Sequence, residues 1–204
     1  MEVVHLDELL FDESKHIYKL NGSIIPSVTT VMKPLSNSLY KDVDTKMLNR
    51  AAERGTIVHN AIENYIKYGF TDCPSEFVPY FKAYLDWCRD YDVEVIESEQ
   101  KTYHKFMRYA GTIDCICKIG GERVLVDYKT SAAVNRMLTG VQTEAYAKAY
   151  ETHNEQIDKK AILHLSKYGN YEFIEYKRND AESWTTFNAL MTIYNHIRKY
   201  QAGG

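Results

Sequence analysis

The chain has 204 residues, of which 45% are hydrophobic and 26% charged, so it can bury a sizeable core and is not typical of a disordered protein. Its 25 Lys and Arg residues and 28 Asp and Glu residues give a net charge of −3, which alone argues against a nucleic-acid-binding protein. No run approaches the roughly 18 apolar residues of a membrane span, and the acidic N-terminal segment is unlike a signal or transit peptide. The four cysteines form no Cys-x-x-Cys pair, which favours reduced thiols and a cytoplasmic protein.

No repeat, low-complexity tract or flexible linker divides the chain, so we expect a single domain over residues 1–204. We expect a hairpin and helices in 1–92, a core of strands and one helix in 93–180, and a closing helix in 181–200.

The predicted elements begin with a small hairpin, because Asn21-Gly22 is a strong turn signal between two short apolar runs. Ser27 is then expected to cap a short helix that reaches Met32. Two longer helices follow, and the hydrophobic period changes to two after Val93. The expected bounds are strands 16–20 and 23–25, helices 43–68 and 75–91, strands 93–104, 106–119 and 123–129, helix 134–152, strands 160–166 and 171–177, and helix 181–200. This order predicts an α/β fold in which helices cover a mixed sheet.

The strand before residue 130 ends in two charged residues. Alternation places Leu125, Asp127 and Lys129 on one face of that strand, and a hairpin returns Asp114 from the preceding strand towards the same layer. Two carboxylates at a sheet edge suit a hard divalent cation such as Mg²⁺, and a neighbouring lysine can stabilise charge on a phosphoryl group. The alternative is an ordinary Asp–Lys ion pair at a strand end.

Two helices carry polar pairs at i and i+4, which place both side chains on one face. His59 is a candidate metal ligand with Glu63 as its partner, and the alternative is a core histidine bonded to a carboxylate. Gly55 costs that helix about 1 kcal/mol relative to Ala, which a close backbone approach would explain. Gln142 and Tyr146 are candidates for holding a phosphate, a base or the lysine, and the alternative is ordinary packing.

Taken in order, these motifs resemble those of the PD-(D/E)XK nuclease superfamily. They are Gly-x-x-x-His-x-x-x-Glu, Gly-x-x-Asp, Asp-Tyr-Lys-Thr-Ser and Gln-x-x-x-Tyr. The resemblance is closest to the RecB-type exonuclease branch, which includes phage exonucleases and the mitochondrial genome maintenance exonuclease, and the segment from His16 to Thr29 is similar to the start of phage members. The superfamily's leading proline is missing before Asp114, as is usual in this branch. The resemblance implies a restriction-endonuclease-like core with a central mixed β-sheet flanked by helices.

The resemblance also implies a function, namely metal-dependent hydrolysis of phosphodiester bonds in linear DNA with Mg²⁺ or Mn²⁺. Glu99 occupies a place where such proteins often carry an acid. The implied site comprises the metal ligands Asp114, Asp127, His59 and the Tyr128 carbonyl, the catalytic Lys129, and the companions Glu63, Gln142 and Tyr146.

Residues near the motifs are candidates for contacting DNA, and the alternative for each is a solvated surface side chain. These candidates are Arg54, Lys105, Arg108, Arg136, Thr130, Ser131 and, for base stacking, Tyr109. Residues 101–140 carry 7 basic and 3 acidic side chains, whereas residues 55–100 carry 3 and 9. The local balance therefore favours phosphate binding near the motifs despite the net negative charge.

The motifs that are present and absent limit which cofactors and partners we expect. The cysteine positions do not fit the iron–sulfur members, and without a Walker-type loop we expect no nucleotide cofactor. The expected partner is DNA, as ends, single strand or duplex, with a recombinase or single-strand-binding protein as a further candidate and no membrane. We expect the protein in the cytoplasm, which is the host cytoplasm if a phage encodes it. Two rival functions stay open: a structure-specific or restriction-like endonuclease, and an idle DNA-end binder or inhibitor with the same fold.

Overall fold

The computed structural model describes residues 8–201, which form two sheets and six helices. In chain order the elements are β1 (Leu9–Asp12), β2 (Ile17–Leu20), β3 (Ser23–Ile25), α1 (Val28–Val31), α2 (Lys33–Leu39), α3 (Thr45–Tyr68), α4 (Val78–Asp90), β4 (Glu94–Tyr103), β5 (Ala110–Ile119), β6 (Glu122–Lys129), α5 (Arg136–Tyr150), β7 (Lys159–Leu165), β8 (Tyr171–Tyr176) and α6 (Ala181–Gln201).

The larger sheet is mixed and has five strands in the order β4-β5-β6-β7-β8. Only β6 and β7 run parallel among these strands; the other neighbours are antiparallel. A parallel pair needs a crossover connection, and α5 supplies it. The predicted α/β fold with a mixed sheet flanked by helices is therefore confirmed.

Alternation along β6 divides the core into two layers, one on each face of the larger sheet. Val126 and Tyr128 pack with residues of α3 and α4, whereas Leu125 packs with residues of α1, α5 and α6. Asp127 shares the Leu125 face, as the sequence predicts, and it is buried among these apolar layers. The strand thus delivers a carboxylate into the interior next to α5.

The smaller sheet contains β1, β2 and β3, and it lies against one end of β5. The Ala110 N–H donates to the Pro26 carbonyl at 2.9 Å, and the Tyr18 hydroxyl lies 2.7 Å from Thr112 Oγ1. Gly22 has φ of +77° in the turn between β2 and β3, which suits the predicted Asn-Gly hairpin. The N-terminal hairpin is therefore attached beside the strand that carries Asp114.

Local differences from the sequence prediction are confined to short elements. β1 and α2 are additional, and α2 buries no side chain, so it leaves no apolar period in the sequence. The strand expected from residue 106 begins at Ala110, because His104 Nδ1 accepts the N–H groups of Phe106 and Met107 and closes a turn there. Ser27 caps α1 as predicted, its side chain accepting the Thr30 N–H. Within residues 8–201, no helix combines the length and hydrophobicity needed to cross a membrane.

Candidate active site

His59 projects from α3 towards the ends of β5 and β6. Its Nδ1 lies 3.5 Å from Asp114 Oδ1, and its Nε2 lies 3.2 Å from the Tyr128 carbonyl oxygen. The edge of its ring also faces the Tyr128 ring, with centroids 5.6 Å apart. The histidine is therefore held between a carboxylate and a backbone carbonyl.

The antiparallel ladder between β5 and β6 opens where Asp114 lies. Regular pairing continues up to Cys115 and Val126. One residue further, the Asp114 carboxylate accepts the Tyr128 N–H at 2.7 Å, in place of a backbone carbonyl. This contact fixes one carboxylate oxygen and leaves the other facing His59.

Glu99 joins the site from β4, directly across from Asp114. The register pairs Ser98 with Cys115 and Gln100 with Ile113, so Glu99 and Asp114 face each other. Glu99 has φ of +51°, in the left-handed region that costs a non-glycine residue roughly 1–3 kcal/mol. Like charges directly opposite each other destabilise a sheet as well. Strain and repulsion concentrated at one position are typical of a functional site.

Ligand atoms of His59, Glu99 and Asp114 all lie within 4.8 Å of one another, a spacing that can hold a metal ion. Burial disfavours the charged form of His59, but the Asp114 carboxylate outweighs it and raises the pKa of His59 to about 9. Burial and the negative charge of Asp114 raise the pKa of Glu99 to about 7. Burial opposes ionisation of Asp114, yet attraction to His59 brings its pKa below the ordinary value.

Asp127 and Lys129 form an ion pair next to this cluster. Lys129 Nζ lies 2.5 Å from Asp127 Oδ2, and the side chain of Lys129 is 27% exposed, against 3% for that of Asp127. Burial, together with the repulsion of Asp114, raises the pKa of Asp127 to about 6 in spite of the ammonium group. Burial disfavours the charged form of Lys129, but Asp127 and Asp114 raise its pKa above the ordinary value. The pair therefore keeps a cation beside two carboxylates.

The Asp127 carboxylate is the buried member of this pair. Asp127 Oδ2 is buried, and Lys129 Nζ is its only close partner among the described residues. A buried carboxylate is costly unless cations or hydrogen bonds satisfy its oxygens, and one ammonium group leaves room for a divalent ion beside it. The donor set, carboxylates with one imidazole, suits Mg²⁺ and Mn²⁺.

Tyr146 and Gln142 lie on α5 beside the cluster. Gln142 Nε2 donates to the Tyr146 hydroxyl at 3.2 Å, and the Tyr146 ring packs directly over Gly111. A Cβ atom at Gly111 would lie 2.4 Å from the Tyr146 ring, so the glycine of the Gly-x-x-Asp motif makes room for this tyrosine. The Tyr146 side chain lines the same cavity as Asp114.

For α3, the role of Glu63 as companion of His59 stays a prediction, and the explanation of Gly55 is wrong. Glu63 lines the cavity near His59, but its carboxylate pairs with Lys67, while His59 is held by Asp114 and Tyr128. The i, i+4 spacing within α3 favours the Lys67 pair, because Glu followed four residues later by Lys is a stabilising pair on a helix. Gly55 does not serve a close backbone approach, since a Cβ there would make an ordinary 3.9 Å contact with Thr130 Oγ1.

Arg54, Thr130 and Ser131 gather just beyond Lys129. Arg54 Nε donates to the Thr130 carbonyl at 3.1 Å, and the Ser131 hydroxyl donates to the Ala133 carbonyl at 2.8 Å. Thr130 is buried, so its hydroxyl is less accessible than the sequence suggests. Arg54 is therefore positioned by the turn that follows the Asp-Tyr-Lys motif.

The other predicted DNA contacts lie apart from this group. Arg136 pairs with Glu172 at 3.2 Å, and Arg108 Nη2 lies 3.5 Å from the Leu20 carbonyl. Neither these two nor Lys105 lines the cavity at Asp114. The prediction that Tyr109 stacks on bases is wrong, because it is fully buried and donates its hydroxyl to the Ala145 carbonyl at 2.9 Å.

The sequence prediction omits one wall of the cavity. The cavity at Asp114 has a volume of about 550 Å³, and the N-terminal hairpin contributes Phe11, His16 and Tyr18 to its lining. Lys101 Nζ lies 5.6 Å from the centre of the Phe11 ring, which links that hairpin to β4. The alternation of the hairpin strands marks Tyr18 as inward-facing, but nothing in the sequence places it next to Asp114.

Comparison with known proteins identifies a matching family. A family model described as the PD-(D/E)XK nuclease superfamily matches residues 79–189, more than half of the chain, including Glu99, Asp114 and Asp127. Among solved structures, the crystal structure of SSO0001 is similar at 14% sequence identity with a TM-score of 0.35, over 67% of this chain and 71% of that chain. No curated protein matches the chain significantly.

Proposed function

The chain belongs to the PD-(D/E)XK nuclease superfamily, and we propose that it is a metal-dependent exonuclease of the RecB type that hydrolyses phosphodiester bonds of linear DNA. Membership indicates a nuclease with a divalent metal and a DNA substrate; the preference for ends, the phage type and the branch are our proposal. The observation that carries it is the convergence of His59, Glu99 and Asp114 within 4.8 Å of one another, beside the Asp127–Lys129 pair.

The metal-binding residues follow from the donor atoms available. We assign Asp114 and Asp127 as the main ligands, with His59, Glu99 and the Tyr128 carbonyl around them. The Asp127 carboxylate supports this assignment, because it is buried beside Asp114 and Lys129 is its only ion-pair partner among the described residues. A divalent ion bound there would polarise a phosphoryl oxygen and lower the pKa of a bound water.

Lys129 is assigned the role of charge stabilisation. Its ammonium group is fixed by Asp127 yet 27% exposed, so it can donate to a phosphate oxygen without leaving the carboxylate. Its raised pKa keeps it charged over the physiological range. It therefore meets negative charge that develops on the phosphate, and it orients the attacking water.

Gln142 and Tyr146 are assigned to positioning. Their mutual hydrogen bond fixes both side chains at the cavity wall, and burial raises the pKa of Tyr146, so that it stays a neutral hydrogen-bond donor. Glu63 and His59 line the same cavity. Because the Glu63 carboxylate pairs with Lys67, we place Glu63 at the outer edge of the cavity rather than on the metal.

The shape of the cavity supports action at ends. The N-terminal hairpin lies over one side of the cluster of His59, Glu99 and Asp114, and its Phe11 and His16 form part of the cavity wall. A wall next to the cluster favours entry of a strand terminus over passage of a continuous duplex. A single nuclease domain over residues 1–204, a cytoplasmic setting and a recombinase or single-strand-binding partner complete this proposal.

The experiment that tests it uses linear single- and double-stranded DNA labelled at the 5′ or 3′ end, with covalently closed circles as controls. Each substrate is incubated with the protein and Mg²⁺, Mn²⁺ or a chelator. We expect metal-dependent loss of mononucleotides or short products from linear DNA, and intact circles.

Two other results would contradict the proposal in different ways. Cleavage of circles would make the protein an endonuclease. Tight binding of DNA ends without cleavage under any metal condition would make it an end binder that has kept the fold.

A further inference from the structure

A second cavity lies past Lys129 on the side away from the metal cluster. We call it the basic cleft. It has a volume of about 400 Å³ and lies between the turn that follows β7 and side chains of α3 and α4. The side chains used below are Arg54, Tyr80, His164, Lys167 and Tyr168.

The basic cleft is connected to the candidate active site. A smaller cavity of about 320 Å³ joins the two, because it shares Thr56 and His59 with the metal cavity and shares Thr130 and Ser131 with the cleft. Lys129 lines this joining cavity. A groove thus runs from the candidate metal site past Lys129 into the basic cleft.

The charge of the groove changes sign along this path. The metal cavity is lined by several carboxylates, including Glu63, Glu99 and Asp114. Among the described residues that line the basic cleft there is no aspartate or glutamate, while Arg54 and Lys167 contribute two cations. A polyanion that extends from the metal in this direction would meet Arg54 and Lys167, which also border a neighbouring cavity lined by Glu53 and Glu76.

The cations of the cleft are available to a ligand. Arg54 uses only Nε, for the Thr130 carbonyl and hydroxyl, so its terminal nitrogens have no hydrogen bond or ion pair within residues 8–201. The Arg54 guanidinium also lies 5.9 Å from the centre of the Tyr80 ring, which fixes its orientation. Lys167 is exposed and forms no ion pair with the described residues.

An exposed aromatic ring stands at the outer edge of the cleft. Tyr168 is 80% exposed, and Lys167 Nζ lies 5.1 Å from the centre of its ring. The turn that carries it is closed by hydrogen bonds, since Ser166 Oγ accepts the Tyr168 N–H at 3.1 Å and the Ser166 carbonyl accepts the Gly169 N–H at 3.0 Å. The ring is therefore presented to solvent on an ordered turn.

His164 completes the floor of the cleft. Its Nε2 lies 2.7 Å from the Ser131 carbonyl, and its Nδ1 lies 3.9 Å from a Glu172 carboxylate oxygen. It thereby links β7 to the turn after Lys129, which fixes the position of the cleft relative to Lys129.

We propose that the basic cleft binds the single-stranded nucleotides next to the scissile phosphate, with Arg54 and Lys167 on phosphates and Tyr168 stacked on a base. Cations that track the backbone and an aromatic ring that stacks on bases are the two features that proteins use to bind single strands. The inference rests on the proposed nuclease function and adds a substrate subsite to it.

The test compares Lys167→Gln and Tyr168→Ala with matched exposed controls, Lys118→Gln and Tyr200→Ala. Binding of labelled single-stranded oligonucleotides of increasing length is measured by fluorescence anisotropy in an Asp127→Asn background, at several salt concentrations. Cleavage of the same length series is measured with Asp127 intact.

We expect Tyr168→Ala to weaken binding of long oligonucleotides roughly tenfold, because one stacked base is lost. We expect Lys167→Gln to reduce the slope of log K against log salt by about 0.7, the value for one phosphate contact on a single strand. Cleavage of the long substrates should slow in both variants, whereas Lys118→Gln and Tyr200→Ala should cleave every length at the wild-type rate.

Two outcomes would overturn the inference, and they are distinguishable. If the wild type cleaves DNA while both cleft variants bind and cleave every length as the wild type does, the cleft is not a substrate subsite, and the nuclease function stands. If the wild type neither binds nor cleaves nucleic acid, the proposed function fails together with the cleft.

Discussion

Gly111 lies on β5 at a position where the Tyr146 ring leaves no room for a side chain. We expect Gly111→Ala to lower the free energy of unfolding by about 1–3 kcal/mol, because the added methyl group must displace a buried ring. Cleavage should slow as well, since Tyr146 and Gln142 move together. Urea unfolding and a cleavage assay measure both effects.

Gly55 supplies the matched control for this change. A Cβ there makes only an ordinary contact with Thr130, so Gly55→Ala should stabilise α3 by up to about 1 kcal/mol. Equal destabilisation by the two substitutions would contradict the explanation of the Gly-x-x-Asp motif.

Asp127 and Lys129 differ from ordinary ion-paired residues in their expected response to substitution. Asp127→Asn and Lys129→Gln should each reduce the cleavage rate by roughly 100-fold or more, because the proposed mechanism uses Asp127 as a metal ligand and Lys129 as a charge that meets the phosphate. The melting temperature should stay the same or rise for Asp127→Asn, since Asp127 is buried next to Asp114 and has a pKa raised to about 6. Single-turnover cleavage with saturating metal and thermal unfolding are the measurements.

An unchanged cleavage rate in either variant would contradict these roles. Lys118→Gln, at an exposed lysine of β5, serves as the control that should alter neither rate nor stability.

At the scale of elements, a buried ion pair joins the crossover helix to the sheet. Lys160 of β7 and Glu144 of α5 are 0% and 1% exposed and form a direct ion pair, and Glu144 also accepts the Asp180 N–H at 3.3 Å at the start of α6. This pair lies away from the metal cavity and ties together three elements that support it.

Lys160→Met is therefore expected to destabilise the fold by about 3 kcal/mol, because it leaves the buried Glu144 carboxylate with only Lys148, 3.7 Å away, as counter-ion. The cleavage rate of the folded protein should be unchanged. Adding Glu144→Gln should recover much of the stability, since the amide still accepts from Asp180 without carrying a charge. Urea unfolding of both variants tests this, and a double variant no more stable than the single one would contradict it.

Elements with a strong hydrophobic period were predictable from the sequence, and weakly patterned ones were not. Alternation along β6 correctly places Leu125 and Val126 in different core layers. β1 has four residues and depends on pairing with β2, and α2 buries nothing, so neither has a local signal of its own. The start of β5 was misjudged because a histidine side chain, rather than a glycine or proline, closes the preceding turn.

The site was predictable only in part, for a related reason. Residue types and motif order indicated Asp114, Asp127, Lys129 and His59. Which side chains meet across strands depends on register and backbone conformation, and the left-handed conformation of Glu99 opposite Asp114 cannot be derived from local pattern. The same holds for Tyr109, whose position next to a motif suggests exposure, whereas its ring is buried against Phe187.

At the scale of the whole molecule, the negative net charge does not describe the surface at the candidate site. Part of the acidic excess of residues 55–100 lies on α4, where Asp86 pairs with Lys82 and Arg89, and Arg89 also pairs with Asp90. These charges neutralise one another locally. The charge along the groove is therefore set by its own side chains: it is negative at the candidate metal site and positive beyond Lys129.

The crowded charges of the candidate metal site also determine how the stability of the whole fold depends on pH when a chelator is present. Asp127, Glu99 and His59 have folded-state pKa values of about 6, 7 and 9, each above the ordinary value for its type. A group whose pKa is raised by folding stabilises the fold when protonated, and that contribution is lost as pH rises through the folded-state pKa. Asp114, with a lowered pKa, acts in the opposite sense, but only in acid.

We therefore expect the melting temperature in chelator to fall as pH rises from about 5 to 9, the range that the three raised pKa values span. Mg²⁺ should reverse this loss, because an ion bound to the deprotonated groups stabilises the folded state, so the increase in melting temperature on adding Mg²⁺ should grow with pH. Thermal unfolding at pH 6, 7.5 and 9, with chelator or with Mg²⁺, measures both trends. Glu99→Gln should flatten the chelator curve and shrink the Mg²⁺ effect at once, since one residue contributes to both. A melting temperature in chelator that rises over this range, or a Mg²⁺ effect independent of pH, would show that the clustered carboxylates and His59 do not form a cation site.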